Sequence, residues 1–295
     1  MSVLALASAK GAPGVTTAAV TLGAVWPRRV LLVEADPAGG DLAARFQLPP
    51  EPNLVSLGMV ARRGQLPPEQ VWGHTQRLPR GLEVLTGLRA GDQARGLGRL
   101  WSLLPTVLAQ LEGDVLVDCG RLAADTPAED LVRRADLLVL VARPTVEGVL
   151  HAANRLEALG RLGVTAEVVL VGEQPFDRAG VQQALAGEGI TAPVRGVLAD
   201  DPRGAAMLAG YPGGERWLQR ASPLVRSARS LADDLLARRT PAPASQAVVP
   251  WRRRMPPWCG SCTPGSSTSS APGGRARRRP AGRRAWPTSG PTPPP

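Results

Sequence analysis

The stretch Ala9-Lys10-Gly11-Ala12-Pro13-Gly14-Val15-Thr16-Thr17 carries the residues best suited to chemistry. Glycines at 11 and 14, with a hydroxyl at 16, suit a turn that wraps backbone N–H groups around a phosphate. An apolar run, Val3 to Ala7, precedes the turn and reads as a buried strand. An alanine-rich run, Ala18 to Val25, follows it and reads as a helix. Strand, glycine-bearing turn and helix start together aim a helix N-terminus at an anion. The spacing Gly11-x-x-Gly14-x-Thr16 is that of the end of a phosphate-binding loop, with Val15 where such a loop carries lysine.

Lys10 is the one lysine among 35 basic residues, the rest being arginines. An ammonium at the mouth of a phosphate loop would act as a compact point charge. A lone lysine must also fall somewhere, so its position has a chance reading beside the functional one. Two carboxylate stretches complete the set. Glu34-Ala35-Asp36-Pro37-Ala38-Gly39-Gly40-Asp41 closes a second apolar run. Carboxylates there can hold Mg²⁺ through water or orient an attacking water, although a Pro/Gly/Asp turn needs the same residues for its backbone. Asp114-Val115-Leu116-Val117-Asp118-Cys119-Gly120-Arg121 is an apolar strand ending at Asp118, with Gly120 two residues on. Such an end sets a carboxylate near Mg²⁺ and a glycine N–H toward a terminal phosphate. A buried strand ending in a capped turn has the same composition. Cys119 reads as a small buried residue, since no histidine stands near it in sequence.

Lys10-Gly11-x-x-Gly14-x-Thr16-Thr17 resembles the deviant Walker A loop of the ParA/MinD family of P-loop ATPases, whose pattern is Lys-Gly-Gly-x-Gly-Lys-Thr-Thr/Ser. The resemblance implies a nucleotide-dependent homodimer that sandwiches ATP and Mg²⁺, in chromosome partitioning or in positioning a cell-envelope apparatus. It implies a signature lysine at Lys10, which stabilises charge in the partner subunit, and a water-orienting aspartate at Asp36. Nucleotide contacts would come from Gly11, Ala12, Pro13, Gly14, Val15, Thr16, Thr17 and Gly120, and metal contacts from Thr16 and Asp118. The chain departs from the family at three places. Val15 replaces the second lysine, Asp118-Cys119-Gly120-Arg121 shortens the usual Asp-x-Pro-x-Gly, and Gly172 stands where an asparagine commonly reads adenine. Slow ATP hydrolysis is the expected activity.

The elements that must position these residues are legible as periodicity. Val30 to Glu34 reads as the strand of a βαβ unit, after a break at Trp26-Pro27. Leu54 to Val60 reads as a short helix, Pro67-Pro68-Glu69 as the cap of another, and Gly81 to Gly87 as a strand and turn. Leu97 to Leu111 reads as one helix kinked at Pro105. Pro127 to Ala135 and Val146 to Leu162 read as helices, and Leu137 to Val141 as a strand buried on both faces. Ala166 to Val171, Arg178 to Ala186 and Val194 to Leu198 continue the alternation, and Asp200-Asp201-Pro202 opens a further helix. Pro223 to Arg239 reads as a closing amphipathic helix with Leu224, Ala228, Leu231 and Leu235 on one face. Asp233 and Asp234 favour docking on the sheet over membrane contact. The predicted class is α/β: a three-layer, P-loop NTPase-like domain over residues 1–239 with a mostly parallel sheet, followed by a disordered tail.

Composition bounds the rest. The chain has 295 residues and a net charge of +10. Nine arginines and no acid follow Ser245, which leaves +1 for the body. Residues 240–295 are rich in Pro, Arg, Ser and Gly, which predicts disorder. Their arginine runs could hold nucleic acid or acidic lipid by charge; a tail read in a shifted frame would have the same composition. Cys259 and Cys262 lack a second ligand pair for zinc, and three cysteines do not make a disulfide framework. No apolar run approaches the ~20 residues of a membrane helix, and a cytoplasmic location is expected. Two rival functions remain at this level. One is a pseudo-ATPase adaptor or scaffold that binds nucleotide weakly or not at all, and the other a dinucleotide-binding oxidoreductase using Glu34.

Overall fold

The computed structural model describes residues 2–123, 125–213, 218 and 220–237. These fall in a compact unit, Met1–Pro243; the second unit, Ala244–Pro295, lies outside the described residues, and with it the predicted tail, its arginine runs, Cys259 and Cys262.

The order begins β1 (Val3–Ser8), α1 (Val15–Val25), β2 (Val30–Glu34), α2 (Leu42–Arg45), α3 (Leu54–Ala61) and α4 (Pro68–Trp72). It continues β3 (Gln76–Arg77), β4 (Glu83–Leu85), α5 (Gln93–Leu97), α6 (Arg99–Leu108), β5 (Asp114–Arg121) and α7 (Glu129–Arg134). Then come β6 (Leu137–Ala142), α8 (Val146–Arg161), β7 (Ala166–Val171), α9 (Arg178–Gly187), β8 (Val194–Leu198), α10 (Pro202–Leu208) and α11 (Pro223–Ala237). The eight strands form one sheet in the order β3-β4-β2-β5-β1-β6-β7-β8. Each neighbouring pair is parallel except β3–β4.

β1, β2 and β6 are almost continuously apolar because helices cover both faces of the sheet. Alternation along β1 sorts its side chains into two cores. Val3, Ala5 and Ala7 pack with α3, α6, α8 and α9 on one face. Leu4 and Leu6 pack with α1, α10 and α11 on the other. Leu224, Ala228, Leu231 and Leu235 of α11 are all buried in this second core, so its apolar stripe is spent on the sheet. Among the described residues no helix is long and apolar enough to cross a membrane.

Local chemistry sets the boundaries. Trp26 adopts extended backbone after α1, and its indole N–H donates to Asp114 at 2.9 Å. Arg28 pairs with the same buried carboxylate at 2.7 Å, which fixes the start of β5 beside the α1–β2 link. Asn53 caps α3 through a reciprocal capping box with Ser56.

Two predicted elements differ, and one short strand is new. The helix predicted over Leu97 to Leu111 is shorter, α6 at Arg99–Leu108, because Gly98 takes φ +38 and separates it from α5; Pro105 is accommodated within α6, and the last residues form turns. The strand predicted to end at Asp118 runs on through Arg121, because Ser8 pairs with Arg121 beyond a register shift that puts one extra residue in β5. The short β3 was not anticipated; two residues carry too little periodicity to register.

Candidate functional site

β5 lies between β1 and β2, so their carboxyl ends meet. Leu6 pairs with Asp118 on one side and Glu34 pairs with it on the other. The connection from β1 runs to β2, on one side, while that from β5 runs to β6, on the other. Such a reversal opens a crevice at the strand ends.

The turn from β1 to α1 borders this crevice. Gly11 takes φ +73, and Gly14, the residue before α1, takes φ +101, a left-handed geometry that glycine adopts without strain. The first helical bond is donated by Ala18 to the Gly14 carbonyl at 2.8 Å. The amides of Val15, Thr16 and Thr17 precede it and have no intrahelical acceptor. No side chain caps this end, and no acid lies in its first turn. The turn is therefore open to an anion.

Val15 does not face that opening with its side chain. It is buried in the core that holds Leu6, Leu116 and Val141, which leaves its amide as its polar contribution. Lys10 is exposed and lines a cleft of about 380 Å³ with Arg121, Leu122, His151, Asn154 and Arg155. His151, isolated in the sequence, thus lines the same cleft as the lysine.

Asp118 is 1% exposed. Its Oδ1 accepts the Gly120 N–H at 3.0 Å, while Oδ2 is buried without a hydrogen-bond partner. Burial pushes its carboxyl up to about 6; the Thr16 hydroxyl and the Gly120 amide oppose the rise, and Glu34 and Asp36 add to it. A buried carboxylate oxygen with no hydrogen-bond donor, beside a hydroxyl, is chemically suited to a cation. Mg²⁺ fits this donor set, since it takes one or two protein oxygens and completes its shell from water and phosphate. Among the described residues no cluster of three or more His, Cys, Asp or Glu is suited to hold a metal by itself.

Asp36 is half-buried after β2, and its Oδ1 accepts the Ala38 N–H at 2.8 Å. Burial raises its carboxyl above the usual range, and Asp41 adds to this; the Ala38 amide and Arg121 pull it back. A Cβ placed on Gly120 would lie 1.9 Å from Asp36 Oδ2. The structure thus brings Asp36, Asp118, Gly120 and Thr16 to one place, with Lys10 at its edge.

Gly120 departs from its expected use. Its N–H, predicted to meet a terminal phosphate, is already given to Asp118. Cys119 is fully buried and its thiol is pushed far up by burial, in keeping with a packing role. Glu34 corrects the oxidoreductase reading. Its Oε1 accepts the amides of Asp41 at 2.7 Å and Leu42 at 3.0 Å, and Oε2 accepts Gly87 at 2.9 Å. A buried carboxylate occupied on both oxygens is not available to a ribose hydroxyl. It clamps the loop after β2 to the turn after β4, a role the sequence reading missed. Gly40 was its available signal, since a Cβ there would lie 2.2 Å from Glu34 Oε2.

Two strands from β1 in the sheet, Gly172 follows β7 with φ +82. The space beside it belongs to Asp200, whose Cβ would be 3.4 Å from an added Gly172 Cβ. Arg143 pairs with Asp200 at 3.0 Å across the ends of β6 and β8.

No protein-family model matches the chain, and no curated protein matches it. Solved structures do. The septum site-determining protein MinD of Pyrococcus horikoshii OT3, complexed with Mg-ADP, aligns with TM-score 0.63 at 18% identity over 80% of this chain and 97% of that one. The cell division ATPase MinD of Pyrococcus furiosus aligns with TM-score 0.62 at 18% identity, covering 80% and 98%. A ParA family ATPase of Chlorobium tepidum TLS aligns with TM-score 0.62 at 15% identity, covering 79% and 98%. The chain has the fold of the MinD and ParA-family ATPases.

Proposed function

We propose that the chain is a divergent nucleotide switch of the ParA/MinD kind, binding ATP with Mg²⁺ and acting in partition or in positioning of a cellular apparatus. The observation that carries this reading is the orphaned Asp118 Oδ2, buried beside Thr16 at an uncapped helix N-terminus. The Mg-ADP complex of the P. horikoshii protein, which shares the fold, supports the same ligand class.

The amides of the turn and of Val15, Thr16 and Thr17 hold the phosphates, with Gly11 and Gly14 letting the backbone curve around them. Thr16 and Asp118 would hold Mg²⁺, which would neutralise phosphate charge. Asp36 orients the attacking water, held toward the Gly120 backbone by the Ala38 amide. Lys10 projects from the subunit and stabilises charge on the partner's nucleotide in a homodimer. With Val15 packed in the core, no lysine from α1 reaches the terminal phosphate, so turnover is slow. The protein works in the cytoplasm with a protein partner, and the arginine-rich tail adds non-specific nucleic-acid contact.

Titration calorimetry with ATP and Mg²⁺, alongside light scattering for mass, tests this reading. Micromolar binding with an ATP-dependent doubling of mass is the expected result. A second reading, a scaffold that has lost nucleotide, draws on the buried Val15 and on Gly172, beside Asp200, which pairs with Arg143, where an adenine-reading asparagine would stand. Absence of heat and of an ATP-dependent dimer would favour it.

A further inference from the structure

We infer that Arg121 supplies the cationic contact to the terminal phosphate that the loop itself lacks. The inference rests on the reading of the crevice as an ATP site and adds a residue to it. Two donors expected at that phosphate are missing. Position 15 offers no ammonium, and the Val15 side chain is committed to the core. The Gly120 amide is committed to Asp118. The next residue along the same strand is Arg121.

Its position is set by the sheet. Arg121 pairs in register with Ser8, the last residue of β1, so it stands where the phosphate turn begins. This register exists because β5 continues past Asp118, the feature that the sequence does not reveal. The side chain is exposed and lines the same cleft as Ala9 and Lys10. Its charge reaches the Asp36 carboxyl. Among the described residues no hydrogen bond or ion pair engages its guanidinium. The orphaned Asp118 Oδ2 lies three residues earlier on the same strand, toward Thr16. A guanidinium forks onto two phosphate oxygens, so it can replace an ammonium at this point while approaching from the sheet instead of from the helix.

The test is calorimetric titration of wild type, Arg121→Ala and Arg121→Lys with Mg²⁺·ATP and with Mg²⁺·ADP. Arg121→Ala should weaken ATP by roughly tenfold or more and ADP by less than about threefold, because ADP lacks the phosphate contacted. Arg121→Lys should restore most of the ATP affinity. Thermal denaturation of the three proteins should coincide, since the side chain is exposed. Equal ATP affinity in wild type and Arg121→Ala, or an equal loss for ATP and ADP, would overturn the inference and leave the ATP-site reading standing. Failure of wild type to bind either nucleotide would bring down that reading, and this inference with it.

Discussion

The Asp36 carboxylate lies against the backbone of Gly120, so close that a methyl group on Gly120 would sit 1.9 Å from Asp36 Oδ2. Gly120 also takes φ +59, where an L side chain is strained. Gly120→Ala should therefore destabilise the protein by about 2–4 kcal/mol in denaturant titration, from strain and overpacking together. Adding Asp36→Ala should recover the overpacking part, roughly 1 kcal/mol or more, and leave the strain. Strict additivity of the two substitutions would show that the carboxylate and the glycine do not touch.

Asp118 should couple stability and binding to pH in opposite senses. Its folded carboxyl titrates near 6, above the ordinary 3.8. The folded state then holds more protons than the unfolded state between those values. Stability of the ligand-free protein should fall as pH rises from about 4 to about 6 and level off above, by on the order of 3 kcal/mol. Mg²⁺ needs the ionised form, so nucleotide affinity in its presence should rise over the same range. Asp118→Asn should flatten both profiles, gain ligand-free stability at pH 7 and lose the Mg²⁺ dependence. Unchanged profiles would remove Asp118 from the site.

Glu34→Ala should be among the most destabilising single changes, about 3 kcal/mol or more, because it leaves three backbone amides without their acceptor. Chemical denaturation measures it directly. A loss below about 1 kcal/mol would mean that water replaces the carboxylate and that Glu34 is no clamp.

Lys10→Ala should leave stability within about 0.5 kcal/mol, since the side chain is exposed. ATP-dependent dimer mass in light scattering should be lost, while ADP binding by the monomer persists. An intact ATP-dependent dimer would mean that the position of Lys10 is chance.

Leu231→Ala, in the buried stripe of α11, should cost about 2–5 kcal/mol. That loss, read by thermal denaturation, separates a docked helix from one held ready for a membrane.

The sequence was most legible where local geometry needs particular residues. Gly11, Gly14 and Thr16 announced the turn because left-handed backbone and a helix start restrict residue choice. Continuous apolar runs marked β1, β2, β6 and β7, since burial on both faces removes polar residues from a strand. The helix boundary at Gly98 and the length of β5 were not legible. Glycine occurs in many conformations, and a strand's end depends on its neighbour, here on Ser8 opposite Arg121.

By themselves, the residues determined an α/β alternation with a phosphate-shaped turn first in the chain, because strand, glycine and helix signals are all local. Tertiary structure alone decided which way the side chains are spent. It sent Val15 into the core, closed Glu34 onto three amides, gave the Gly120 amide to Asp118 and left Asp118 Oδ2 and Arg121 without such partners. Those outcomes depend on residues far apart in sequence meeting at the ends of β1, β2 and β5, and no short-range pattern encodes such a meeting.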